Sequence, residues 1–153
     1  MLDCASIMRP IAQTLSVDDP LRLAVDFMLD SHMGLVPVVD ANGGFAGLLG
    51  GDRVMHFLLP KQLTMVRGLD RMSYLRESRD ELRDRLAEIG DLPLREVISR
   101  QVEVAYPDSP LTQAQHILAG NQHVVPVVDR ETHKLLGAIS FFTILAALKG
   151  EPA

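Results

Sequence analysis

Leu35-Val36-Pro37-Val38-Val39-Asp40 recurs as Val124-Val125-Pro126-Val127-Val128-Asp129. Each run is short, apolar and closed by an aspartate, the pattern of a strand buried on both faces. The likeness spreads outward. Asp18-Asp19-Pro20-Leu21 with Ala24 and Met28 is echoed by Asp108-Ser109-Pro110-Leu111 with Ala114 and Leu118. These segments lie 90 residues apart, the strands 89, and Gly47 and Gly137 again 90. One residue is therefore lost in a helix-to-strand loop and regained in the following turn. Length changes confined to loops mark a structural repeat. The same register pairs Ile7-Met8 with Val97-Ile98.

Each copy predicts the same elements. A short extended segment (14–17 and 102–106) leads to Pro20 or Pro110, where a helix starts. The helices carry Leu21, Ala24, Val25 and Met28 on one stripe, and Leu111, Ala114, Ile117 and Leu118 on the other. The small Ala24 and Ala114 allow close approach to a sheet. After the Val-Pro strand, Asn42-Gly43-Gly44 is a strong turn signal before a returning strand, 45–49. Residues 131–134 form its weaker counterpart before 135–139. A final helix follows in each copy, 52–59 and 141–149. The expected fold is α/β in the α+β sense, two β-α-β-β-α units, with repeat 1 over 1–60, a connector over 61–91 and repeat 2 over 92–150. In the connector, residues 67–89 are densely charged, with Leu75, Leu82, Leu86 and Ile89 at helical spacing. They predict a solvated helix covering the seam between the units, or else a partner-binding helix.

Composition narrows the function classes. Of the 153 residues, 47% are hydrophobic and 23% charged, enough apolar surface to offset the entropy of ordering. No apolar run reaches the roughly 18 residues of a membrane span. The amino terminus has no signal-peptide pattern, and the single cysteine, Cys4, cannot form an internal disulfide, so a cytoplasmic location is expected. A net charge of −5 and the absence of Trp argue against nucleic-acid and anionic-membrane partners. His32, His56, His116, His123 and His133 show no metal-ligand spacing. His32 and His123, just before the Val-Pro strands, read as polar helix-end positions with a lesser prospect of facing a cleft, and Met33 as core filling. No nucleophile-base pair or paired acids stand out, so an enzyme is not expected.

The ordered recurrence of Ile-Met, Asp-x-Pro-Leu-x-x-Ala, Val-Pro-Val-Val-Asp and Gly-hydrophobic-hydrophobic closely resembles the cystathionine β-synthase (CBS) domain. Two in tandem resemble a Bateman module of the small stand-alone bacterial type. The resemblance implies two β-α-β-β-α units packed with pseudo-twofold symmetry and a regulatory role. It also implies an adenine ligand (AMP, ADP, ATP or S-adenosylmethionine) in a cleft between repeats, and disc-like homodimers acting on an unidentified regulated protein. The family's site has a Thr in the first strand and a hydrophobic-Pro pair against adenine. A Ser or Thr lies near the phosphates, with an Asp three residues on for the ribose. In the first repeat Thr14, Val36 and Pro37 match. Gly50 stands at the Ser/Thr position, and Asp52 comes one place early, with Arg53 at the regular one. Asp52 also reads as a helix N-cap. In the second repeat Val125, Pro126 and Ser140 match, Val104 replaces the Thr, and Thr143 replaces the Asp. Ser140 reads equally as an N-cap. The expectation is at most one adenosine site per chain, or a ligand other than a nucleotide; the alternative is a ligand-independent dimerisation or interaction module.

Overall fold

The computed structural model describes residues 2–11, 13–60 and 76–150. After a short helix α1 (Cys4–Ile7), the first repeat contains β1 (Leu15–Ser16), α2 (Leu21–Ser31), β2 (Leu35–Val39), β3 (Phe45–Gly50) and α3 (Gly51–Leu58). Helix α4 (Arg79–Ile89) and a 3-10 turn (Leu94–Glu96) precede the second repeat, with α5 (Leu111–Leu118), β4 (Val124–Val128), β5 (Leu135–Ser140) and α6 (Phe141–Leu148). Strand β2 pairs parallel with β1 and antiparallel with β3. Strand β4 pairs antiparallel with β5, and Ala105 makes a single parallel bridge to Val127 where β1 would stand. Pro20 and Pro110 are N-caps, one position before the helices rather than inside them. The mixed helix-and-strand class and the two-unit architecture are those expected from the repeat.

The aspartate that closes each Val-Pro strand has a local task. The Asp40 carboxylate accepts from the Asn42 and Gly44 N–H groups, both at 2.9 Å. Asp129 accepts from Thr132 and Glu131 at 2.8 and 2.9 Å. Those donors, Thr132 foremost, hold the Asp129 carboxyl below its ordinary range. Both make Asx turns, which lets the weak-looking second turn follow the first. Gly43 has φ 81°, and 90 positions later His133 has φ 62°. The Cβ of His133 in that left-handed region costs roughly 1–2 kcal/mol. The two turns meet: the Phe45 N–H donates to the His133 carbonyl at 3.0 Å, and the Leu135 N–H to the Gly43 carbonyl at 3.3 Å. Equivalent residues touching each other mark the pseudo-twofold axis.

The opening segment of each repeat packs on the other unit. Arg9 pairs with Ala138 on β5, and Ser99 pairs with Leu48 on β3. Asp3 likewise bridges Pro110, and Pro93 bridges Pro20. Adding 90 to Arg9 and Leu48 gives Ser99 and Ala138, and adding it to Asp3 and Pro20 gives Pro93 and Pro110, so each pair generates the other and the exchange is symmetric. The cores follow it. Leu94, Val97 and Ile98 are buried with Leu15, Leu21, Val36, Val38 and Leu49. Cys4 is buried with Leu111, Val125, Val127 and Ile139, with Ile7 and Met8 against them. Burial pushes the Cys4 thiol up, which keeps it protonated and unreactive.

Within α4, Leu86 and Ile89, with Leu92 after it, pack into the first core, while Leu82 is exposed. Arg85 donates to the Leu58 carbonyl at 2.8 Å and pairs with Glu77. This helix therefore backs the first unit, not a seam between units, because its apolar residues fall against α2 and α3. Expectations for 61–75, including Leu75, lie outside the described residues. No helix among the described residues is long and apolar enough to cross a membrane.

Candidate functional site

A cleft of about 1240 Å³ opens between the repeats. The first repeat supplies Gly34, Leu35, Leu48 and residues 50–53; the second supplies 101–103, 116–117, 119–124 and 140–142, and Ser99 completes it. Its position follows from the exchange, which holds the end of β3 beside residues 99–103. The Gln122 side chain builds the second wall. It accepts from the Glu103 N–H at 2.9 Å and donates to the Glu103 and Val124 carbonyls at 2.7 and 2.8 Å. One amide thus ties the 101–103 segment to the start of β4.

Three of the residues singled out from sequence line this cleft: Gly50, Asp52 and Ser140. Gly50, not Asp52, is the N-cap of α3, and it makes no side-chain cap; Asp52 sits in the first turn. A Cβ at Gly50 would collide with the Asp52 carboxylate oxygen. That oxygen is the free end of a side chain that can turn away, so the contact does not by itself require glycine at the Ser/Thr position.

Ser140 is the N-cap of α6 and forms a capping box with Thr143. The Thr143 N–H donates to Ser140 Oγ at 3.3 Å, and the Ser140 N–H donates to Thr143 Oγ1 at 3.4 Å. Thr143 is buried and off the cleft wall. Its hydroxyl satisfies the helix end, as a capping box does.

Thr14 is exposed, and Val36, Val125 and Pro126 are buried; with the half-buried Pro37, none of them lines the cleft. For the two valines the reason is the two-residue period of a strand. Val36 and Val125 point into the cores, so Leu35 and Val124, one place earlier, take the cleft face. Of the histidines, His116 and His123 reach the cleft, whereas His32 caps α2 in a left-handed conformation. Met33 is exposed and off the wall.

Arg53 also lines the cleft. Its Nε donates to the Val97 carbonyl at 3.0 Å, and its guanidinium carbon lies 5.7 Å from the Phe57 ring centroid. The spacing signal was there, since Arg53 holds the regular position of a carboxylate. No three His, Cys, Asp or Glu side chains gather as a metal site would require, among the described residues.

The family model of the CBS domain matches twice, over residues 4–59 and 94–150. The chain belongs to the CBS-domain family, as a tandem pair. No curated protein sequence matches it. Among solved structures it is similar to a CBS-domain-containing protein from Kribbella flavida, at 21% identity, TM-score 0.73, and 97% and 99% coverage of the two chains. It is also similar to CBSX2, known from Arabidopsis thaliana, solved in complex with AMP, at 16% identity, TM-score 0.71 and 98% coverage of each. A third is CbpB in complex with c-di-AMP, at 12% identity, TM-score 0.70, and 97% and 85% coverage. At such identities the likeness concerns the fold.

Proposed function

We infer that this chain is a regulatory module, not an enzyme, acting in the cytoplasm, which takes an adenine nucleotide in the cleft between its CBS repeats. The observation that carries this reading is the cleft itself. Both repeats line it, its volume suffices for a nucleotide, and acceptor and donor side chains share its walls. That CBSX2 is described in complex with AMP and CbpB with c-di-AMP supports the ligand class. Asp52 is an acceptor for ribose hydroxyls. Ser140 keeps its hydroxyl on the wall but shares it with the α6 cap. Binding regulates only by favouring one of two arrangements of the module or its dimer.

Self-association belongs to the same reading. Helix α6 leaves Phe141, Phe142, Leu145 and Leu148 between 49% and 67% exposed, with Met55 and Leu59 exposed at α3 and its end. Apolar surface on this scale favours a partner, and a second copy of the chain is the simplest one. Leu145→Glu with Leu148→Glu is expected to convert dimers to monomers with little change in monomer fold, read by sedimentation. Dimers that persist would remove α6 from the interface.

The capping box favours a second reading, a ligand-independent interaction module, because it engages both candidate polar residues of the second repeat. Calorimetric titration with AMP, ADP, ATP, S-adenosylmethionine and NADH separates the two. Saturable binding by an adenine ligand, lost in Asp52→Ala and kept in Thr143→Val, is the expected result. Silence of all five at millimolar concentration would leave the interaction module.

A further inference from the structure

The charged groups of the cleft are few. Among the described residues they are Asp52, Arg53 and Glu103, with the imidazoles of His116 and His123. Arg22, Arg83, Arg85, Arg95 and Arg130 each lie within ion-pair distance of a carboxylate. Arg53 has no such partner among the described residues, and it is the only arginine there on the cleft wall. It is also held. Its Nε is engaged by the Val97 carbonyl, and its guanidinium carbon packs near Phe57. The terminal nitrogens keep four N–H donors without a protein partner among the described residues. A guanidinium fixed at one end and open at the other suits a tetrahedral oxyanion, which it grips through two parallel N–H bonds.

We propose that Arg53 reads the charge of the ligand, taking the single phosphate of a nucleoside monophosphate. This rests on the nucleotide reading above and sharpens it. The count of charges sets the number of phosphates. Asp52 and Glu103 share the cleft with Arg53, and no lysine or second arginine lines it among the described residues. Each phosphate beyond the first would lie near these carboxylates without a lysine or a second arginine to meet it, and like charges in a partly desolvated cleft repel. The order of affinity is therefore AMP above ADP above ATP, with uncharged adenosine below AMP.

Calorimetry on the full chain tests this with AMP, ATP, adenosine and inorganic phosphate, on the wild type, Arg53→Gln and Arg53→Lys. A charge-assisted hydrogen bond is worth enough for AMP to bind about ten- to a hundredfold more tightly than adenosine. Arg53→Gln is expected to erase that ratio, with a cooperative melting transition as the control for folding. Arg53→Lys, with charge but no fork, is expected to restore part of the ratio. An AMP-to-adenosine ratio unchanged in Arg53→Gln overturns the proposal, as does ATP binding more tightly than AMP. If neither adenosine nor AMP binds, the nucleotide reading fails by itself, and inorganic phosphate decides the rest. Phosphate that raises the melting temperature of the wild type and not of Arg53→Gln keeps Arg53 as an anion site; equal or absent effects end it.

Discussion

Gly137→Val is expected to lower the stability of the chain by about 3 kcal/mol, the scale of a clash that a packed interior cannot absorb. A Cβ at Gly137 would lie 2.7 Å from the Arg9 carbonyl oxygen and 3.0 Å from Met8 Sδ. The first contact is backbone and cannot rotate away. Relief means pushing the 3–9 segment off β5, which breaks the reciprocal Arg9 and Ala138 hydrogen bonds, both 3.0 Å. It also loosens Cys4, Ile7 and Met8 from the second core. Gly47 stands in the same relation to Ser99, whose carbonyl oxygen a Cβ would strike, so Gly47→Val is expected to cost as much. Gly34→Ala is the control, since nothing lies within 4 Å of its added carbon. Urea unfolding reads all three; a Gly137→Val chain as stable as Gly34→Ala would mean that the exchanged segment is not packed as described.

A chain ending at residue 60 is expected to be unfolded in water, and so is one beginning at 92. The first unit completes its core with Leu94 and Val97, both wholly buried, and Ile98, 5% exposed. Burying a side chain of this size contributes about 1.5–3 kcal/mol. Three together rival the 5–15 kcal/mol of a whole domain, and a unit of about 60 residues has little margin to begin with. The second unit loses Cys4, Ile7 and Met8 in the same way. In the intact chain, Leu94→Ala is the point version, expected to cost about 2–5 kcal/mol. Circular dichroism of the two halves is the check. A cooperative thermal transition in the 1–60 chain alone would show that the exchanged residues are not needed for its core.

The exchange also explains what a reading of residues recovers and what it does not. Both Val-Pro-Val-Val-Asp strands and the helices at Leu21 and Leu111 were legible because period and punctuation agree in two copies. Gly47 and Gly137 were visible as a matched pair, but their reason was not. It lies in the backbone of Ser99 and Arg9, about 50 and 130 residues away along the chain. The cleft was legible only in part. Gly50, Asp52 and Ser140 were found because each sits where a strand hands over to a helix, at an end that faces outward. Val36 and Val125 were placed one residue off, since a strand that is apolar throughout does not announce which alternate face meets the core. Gln122 carried no motif at all. Its task, bridging Glu103 to Val124, exists only once residues 101–103 lie against β4.

An adenine nucleotide bound between the two repeats would touch backbone from both. Backbone amide spectra of the 15N-labelled chain, recorded during AMP titration, test it directly. The amides of Gly34, Gly50, Gly51 and Gly120, which line the cleft from both repeats, are expected to shift together along one saturable curve. Gly43, at the turn, and Gly150, after α6, are expected to stay still. Shifts confined to one repeat, or to residues away from the cleft such as Leu23, Asp26 and Phe27 on α2, would contradict it.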